Sequence, residues 1–216
     1  MADRSGQVDR GERADGGESS AAAAHGSMPT LGVLALQGSF DLHVRMLRSL
    51  GATTRTVVKP VDLDGIDGLV LPGGESTVLA RLAKEYGLLE PLKAAGAAGL
   101  PIFGTCAGAI FLGSGGGLPP RLELTPIVFE RNAYGRQLDS FTTELKLAPF
   151  ETSFHGVFIR APRCRIPPGT KARVLGTHDG DPVLVESGNL LLATFHPELT
   201  DDPRVHQYFL KRCLRS

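Results

Sequence analysis

The chain carries no excess of either charge. Its 23 Lys and Arg balance its 23 Asp and Glu, which removes the broad electrostatic pull toward nucleic acid or an anionic membrane. Cysteine is scarce. Three of them, widely spaced along 216 residues, cannot build a disulfide framework and give no Cys-x-x-Cys zinc spacing. Free thiols fit a reducing compartment, so a cytoplasmic location is expected. No apolar run reaches the ~18 residues of a membrane-spanning helix, and no secretory apolar region marks the first residues. No internal repeat is visible. What remains is an ordinary globular composition, 42% hydrophobic and 21% charged, in a chain long enough for one domain with a sizeable core.

Two regions differ in composition. Residues 1–27 are rich in Gly, Ser, Asp, Arg and Ala and hold almost nothing large and apolar. They are expected to be a disordered extension. Residues 28–216 are expected to form a single domain. There, apolar strand-like runs at 31–36, 53–58, 68–71 and 101–104 alternate with helical spacing at 40–50, 76–86 and 88–98. Ser76 or Thr77 is expected to cap the second of these helices. Alternation of this kind implies right-handed crossovers and a mostly parallel, doubly wound, flavodoxin-like α/β sheet with helices on both faces. A Gly/Pro loop at 113–120 follows. The remainder is β-rich, with strand candidates at 127–130, 138–146, 156–159, 172–178, 183–186 and 190–195, and a closing helix at 203–214.

The chain is organised around Phe103-Gly-Thr-Cys-Ala-Gly108. An apolar strand end runs into a tight turn and then into the apolar start of a helix. Small residues two before and two after a central side chain are what a nucleophile elbow needs, here with Cys106 in place of Ser. A helix starting beneath Cys106 would favour the thiolate, and the N–H of Ala107 would be free to hold an oxyanion. Taken alone, the same frame also suits a small buried Cys filling a core gap.

A cysteine nucleophile needs a base, and the base an orienting group. Of six His, His25 lies in the extension. His43 and His206 fall in helix patterns and read as solvated or partly packed. His178 adjoins a turn, and His155 has no obvious acidic partner. His196 follows an apolar run and precedes Pro197 and Glu198. Pro197 would hold the segment extended, so residues two apart would point the same way and Glu198 would lie beside the imidazole. By itself that is also what a surface His–Glu pair after a strand looks like. Pro72-Gly-Gly-Glu75 is a second informative turn: its glycines let backbone N–H groups approach a ligand, or simply turn the chain. It is not a Walker A loop, because no Gly-Lys-Ser/Thr follows. Arg131 or Arg160 could clamp a carboxylate, although most Arg are surface residues. The turns at Gln37, Gly73-Gly74 and Cys106 all follow strands, so they are expected to share one sheet edge.

The set Leu34-Ala-Leu-Gln-Gly38, Leu71-Pro-Gly-Gly-Glu-Ser-Thr77, Phe103-Gly-Thr-Cys-Ala-Gly108, Glu130-Arg-Asn-Ala-Tyr-Gly-Arg-Gln137, Gly156-Val-Phe-Ile-Arg-Ala-Pro162 and Phe195-His-Pro-Glu-Leu-Thr200 is similar to class I glutamine amidotransferases. More narrowly, it resembles the glutaminase subunits of pyridoxal 5′-phosphate synthase. The resemblance covers about residue 31 to the C-terminus and implies an amidotransferase domain over 28–216. It implies Cys106 as nucleophile, His196 as base and acid, and Glu198 as its orienter. Gly74 and Ala107 would hold the oxyanion. Gly74, Glu75, Ser76, Arg131, Ile159 and Arg160 match glutamine-binding positions, and Gln37 lies where the family contacts its partner. The implied reaction converts L-glutamine to L-glutamate, with ammonia passed to a (β/α)8-barrel synthase subunit that uses ribose 5-phosphate and glyceraldehyde 3-phosphate. It implies no cofactor, no metal and no nucleic-acid or membrane partner.

Overall fold

A computed structural model describes residues 28–115, 120–131 and 140–214. The expected extension at 1–27, and Asn132–Gln137 of the polar motif, lie outside the described residues.

The centre is a seven-stranded sheet. In chain order, β1 is Thr30–Leu34, β2 Thr53–Val57, β3 Gly68–Leu71 and β4 Ile102–Thr105. The helices α1 (Phe40–Ser49), α2 (Ser76–Glu85), α3 (Leu89–Ala97) and α4 (Ala107–Leu112) connect or follow them. Later come β5 (Val128–Glu130), β6 (Ser140–Leu145), β7 (Phe154–Ile159) and β8 (Arg163–Arg165). The chain ends with β9 (Arg173–His178), β10 (Asp181–Ser187), β11 (Leu190–Ala193) and α5 (Arg204–Cys213). The spatial order is β2-β1-β3-β4-β11-β10-β9. The first five strands of that order pair in parallel, and β10 pairs antiparallel with both β11 and β9. Two small antiparallel pairs, β5 with β8 and β6 with β7, stand apart from the main sheet.

The central strands β3, β4 and β11 are buried along their whole length. Their side chains alternate between two cores, as the period of a strand demands. Leu31, Val33, Val70, Phe103 and Leu191 face α1 and α5, whose Val44, Leu47, Val205 and Phe209 join the same cluster. Leu69, Leu71, Ile102, Leu190 and Leu192 face the other way, toward Leu79, Leu92, Ile110 and Phe111 of α2, α3 and α4. Each face of the sheet therefore carries a helical layer, the doubly wound arrangement expected from the alternation.

Two local expectations give way. Glu75, not Ser76 or Thr77, caps α2: its carboxylate accepts from the N–H groups of Thr77 (3.2 Å) and Val78 (3.0 Å). Its longer side chain reaches two orphan donors at once. β8 escaped sequence reading because it is three residues long and two of the three are Arg.

Candidate active site

β1, β3, β4 and β11 are consecutive parallel neighbours, so their carboxyl ends lie along one edge. The turns carrying Gln37, Gly73-Gly74, Cys106 and His196 follow those four ends directly. The expectation of a shared edge thus holds, and β11 adds the histidine to it.

Cys106 stands between β4 and α4 at φ 47°, ψ −104°, a conformation that costs any residue with a β-carbon. The flanking glycines let the turn close. A β-carbon on Gly108 would fall 1.9 Å from the carbonyl oxygen of Leu71, and one on Gly104 2.8 Å from the amide nitrogen of Ala109. The thiol is directed at the carbonyl of Ile159, 3.8 Å away.

His196 follows β11 and is anchored by its own N–H, which donates to Val157 O at 2.8 Å. Its Nδ1 lies 2.8 Å from Glu198 Oε1, which leaves the other ring nitrogen for Cys106. Burial works against charge on this ring, but hydrogen bonds to Cys106 and Glu198 outweigh it and lift its pKa to about 10. Burial would likewise raise the Glu198 carboxyl; the hydrogen bond from His196, with His43 close by, holds it below the usual carboxylate range. The pair meets by a route other than the extended one expected. Pro197–Leu199 is a short 3-10 helix, for which the fixed φ of proline at the first position is preorganised. The bend brings Glu198 back beneath the imidazole.

Gly73 packs directly against that ring: a β-carbon there would come within 2.4 Å of His196 Cε1. Gly74 lies at φ 136°, with the Gln37 amide pressed against it. Gln37 Oε1 accepts from the N–H of Glu75 at 3.1 Å. Glu75 also pairs with Arg131 at 2.9 Å, and Arg131 donates to Thr77 Oγ1 at 3.1 Å. Arg160 is exposed and follows β7 at φ 42°. A cavity of about 270 Å³ opens among these groups. Cys106, His196, Gly74, Glu75, Ser76, Arg131, Ile159 and Arg160 all line it, with Ser39, Ile110 and Leu199 completing the wall. Gln37 and Ala107 are not part of that lining.

His43 and His206 overturn their expectation. Both are fully buried, 2.8 Å apart between His43 Nδ1 and His206 Nε2, and His43 Nε2 is 3.4 Å from Glu198 Oε2. A signal for this was present: His43 shares its helical face with Phe40, Val44 and Leu47, and His206 shares its face with Val205, Phe209 and Cys213. Ser39, whose hydroxyl lies 3.4 Å from Glu198 Oε1, was missed without any comparable signal. His155, expected without an acid, pairs at the surface with Glu144 at 3.0 Å. His178 instead packs against the rings of Phe141 and Phe158.

An elbow sulfur facing a carboxylate-backed imidazole, with glycine backbone beside both, can attack an amide carbonyl and expel an amine. An α/β fold with a thiol and an imidazole lining one cavity is the arrangement of a thiol amidohydrolase class. The chain belongs to the SNO glutamine amidotransferase family, whose model matches residues 33–215. It is 50% identical over 182 residues, 83% of its length and 92% of the other's, to the pyridoxal 5′-phosphate synthase subunit PdxT of Geobacillus kaustophilus. A PdxT of Thermosipho africanus is 47% identical over 182 residues, covering 83% of this chain and 96% of that one. A solved crystal structure of a glutamine amidotransferase superposes with a TM-score of 0.78 at 44% identity, over 85% of this chain and 98% of the other. A glutamine amidotransferase from Thermotoga maritima shares the fold, with a TM-score of 0.57 at 14% identity, over 87% of this chain and 96% of that one.

Proposed function

We propose that this chain is the glutaminase subunit of a pyridoxal 5′-phosphate synthase, hydrolysing L-glutamine to L-glutamate and delivering the ammonia to a synthase subunit. The observation that carries the chemistry is the 2.8 Å contact of His196 Nδ1 with Glu198, set beside a strained elbow cysteine. The kinship to PdxT proteins supports the pathway.

His196, its pKa raised to about 10, holds the proton given up by the thiol, and the sulfur of Cys106 attacks the side-chain carbonyl carbon of glutamine. Charge on the resulting oxyanion is met by the N–H groups of Gly74 and Ala107. Collapse breaks the C–N bond; His196 returns the proton to the departing nitrogen, leaving ammonia and a glutamyl thioester. Water then attacks the thioester with its proton passing to His196. Expulsion of the sulfur releases glutamate, and Cys106 recovers its proton. Glu198 holds His196 in one tautomer throughout. Glu75, Ser76, Arg131, Ile159 and Arg160 surround the amino-acid end of the substrate. Gln37 would rearrange when a (β/α)8-barrel partner docks against the strand ends, completing the oxyanion site. The amidotransferase domain spans 28–216, and the reaction belongs in the cytoplasm.

The test is ammonia and glutamate release by the complex with its synthase. Wild-type chain is expected to release both, and Cys106→Ala neither. Release that survives Cys106→Ala rules out the thioester route. A wild-type complex releasing no glutamate marks instead a silent regulatory subunit.

A further inference from the structure

Behind Glu198, away from the cavity, lie two histidines the mechanism does not use. His43 comes from α1 and His206 from the first turn of α5, and both are fully buried. Phe103 of β4 meets each ring near edge-on, with centroids 6.3 and 5.7 Å away. His43 Nε2 stands 3.4 Å from Glu198 Oε2 and 3.4 Å from the hydroxyl of Thr105, the residue before the nucleophile. One ring nitrogen therefore touches both arms of the site.

The protons can be placed by elimination. A 2.8 Å contact between His43 Nδ1 and His206 Nε2 needs one N–H between two neutral rings. Suppose His43 supplied it. Its bare Nε2 lone pair could then accept from the Thr105 hydroxyl but would also face the Glu198 carboxylate, and His206 would hold a buried N–H on Nδ1, an atom with no partner. Suppose instead His206 Nε2–H donates. Then His43 carries its proton on Nε2, 3.4 Å from both Glu198 Oε2 and the Thr105 hydroxyl, and the unpartnered atom of His206 is merely an acceptor, the cheaper orphan. Both rings are neutral: burial pushes both down, His206 to about 3. The other charged groups felt at His43 are Asp41 of its own helix and His196. Glu198 Oε1 already serves His196, so Oε2 is otherwise unpaired.

We infer that His43, held in its Nε2–H tautomer by His206, is a positioning residue that fixes the plane of the Glu198 carboxylate and through it the His196 ring. Only the kinetic part of this rests on the glutaminase reading. The 3.4 Å separation is slightly beyond an ordinary N–H···O bond, so the contact acts chiefly through the carboxylate's charge.

Imidazole nitrogen NMR of the wild-type chain reads the tautomers directly. Both rings are expected neutral and Nε2-protonated near pH 7; a His43 with its proton on Nδ1, or charged, overturns the inference. In the complex with the synthase, His43→Leu is expected to lower kcat for glutamine about ten- to hundredfold with KM little changed. His43→Gln, whose amide can both donate to Glu198 and accept from His206, is expected to recover most of it. Cys106 alkylation by iodoacetamide, followed against pH, should change in His43→Leu and return toward wild type in His43→Gln. Equal losses in the two variants, or a His43→Leu enzyme with wild-type kcat and alkylation profile, overturn the inference. If His43→Leu does not fold, the tautomer measurement decides. A complex that hydrolyses no glutamine yet shows these tautomers would sink the glutaminase reading and leave this one standing.

Discussion

Cys106 and Cys213 are almost equally enclosed, at 5% and 6% exposure, yet they stand in different surroundings. The sliver of Cys106 that is open faces the cavity. Cys213 packs into the apolar layer beneath α5, and burial pushes its thiol up to about 12. Burial, reinforced by Asp181, does the same to Cys164. Iodoacetamide near neutral pH is therefore expected to label Cys106 far ahead of the other two, with glutamine protecting it, as peptide mass spectrometry would read. Labelling spread evenly over the three would contradict that. Glu198 admits a sharper substitution. Glu198→Gln keeps the volume but can present its amide N–H to His196 and stabilise the wrong tautomer. A loss of kcat on the order of 10²–10⁴-fold is expected, with KM for glutamine nearly unchanged. At this scale the sequence was legible where chemistry leaves a short motif. Cys106 and the His196–Glu198 pair could be picked out, although the geometry joining the pair is a 3-10 bend rather than an extended chain. The burial of His43 and His206 was signalled by their apolar helix faces, but their contact with each other was not, because the two lie 163 positions apart in the chain.

Elements place these residues through close backbone approach. α4 rests its start on β3 so tightly that Gly108 touches Leu71 O. Gly108→Ala must push the helix off the strand and tilt the elbow, so activity is expected to fall more steeply than stability. α2 offers the opposite case. Its cap, Glu75, is partly exposed and pairs with Arg131 at the cavity wall. Glu75→Ala is expected to cost about 1 kcal/mol as a lost N-cap, a fall of about 2–4 °C in Tm for a domain of this size. The same change frees Arg131 and should raise KM for glutamine. A Tm drop with KM unmoved would leave Glu75 a cap and nothing more. The elements themselves were readable wherever pattern and punctuation agreed, as for β3, whose bounds match the sequence reading residue for residue. They were unreadable where the order of the sheet decides. The unbroken apolar run at 190–193 marks β11 as interior, but nothing local says that its neighbour is β4, and that adjacency puts the histidine next to the cysteine.

At the scale of the whole molecule, the two buried histidines tie function to stability against pH. In the unfolded chain each takes up a proton near pH 6.5; in the folded chain burial prevents it, with His206 held down to about 3. Below pH 6.5 the unfolded state therefore binds more protons than the native one, and stability must fall as pH falls. Each histidine contributes a slope of up to ~1.4 kcal/mol per pH unit, so the pair dominates between about 6.5 and 4.5. Below 4.5 Glu198, whose native pKa is lowered, adds a loss of the same sign. His196 works in the opposite direction. Its native pKa is raised to about 10, so its stabilisation is complete below 6.5 and disappears as pH climbs through 10. Maximum stability is thus expected near pH 6.5, with the buried-histidine loss on its acid side and the progressive His196 loss on its alkaline side. Urea unfolding measured at half-unit pH steps would show it. Replacing His206 with Leu should flatten the segment from about 6.5 to 4.5 by up to ~1.4 kcal/mol per unit, whatever it does to the absolute stability. An unchanged slope would mean that His206 takes up its proton inside the fold as readily as outside it, which a fully buried ring beside a second imidazole should not do.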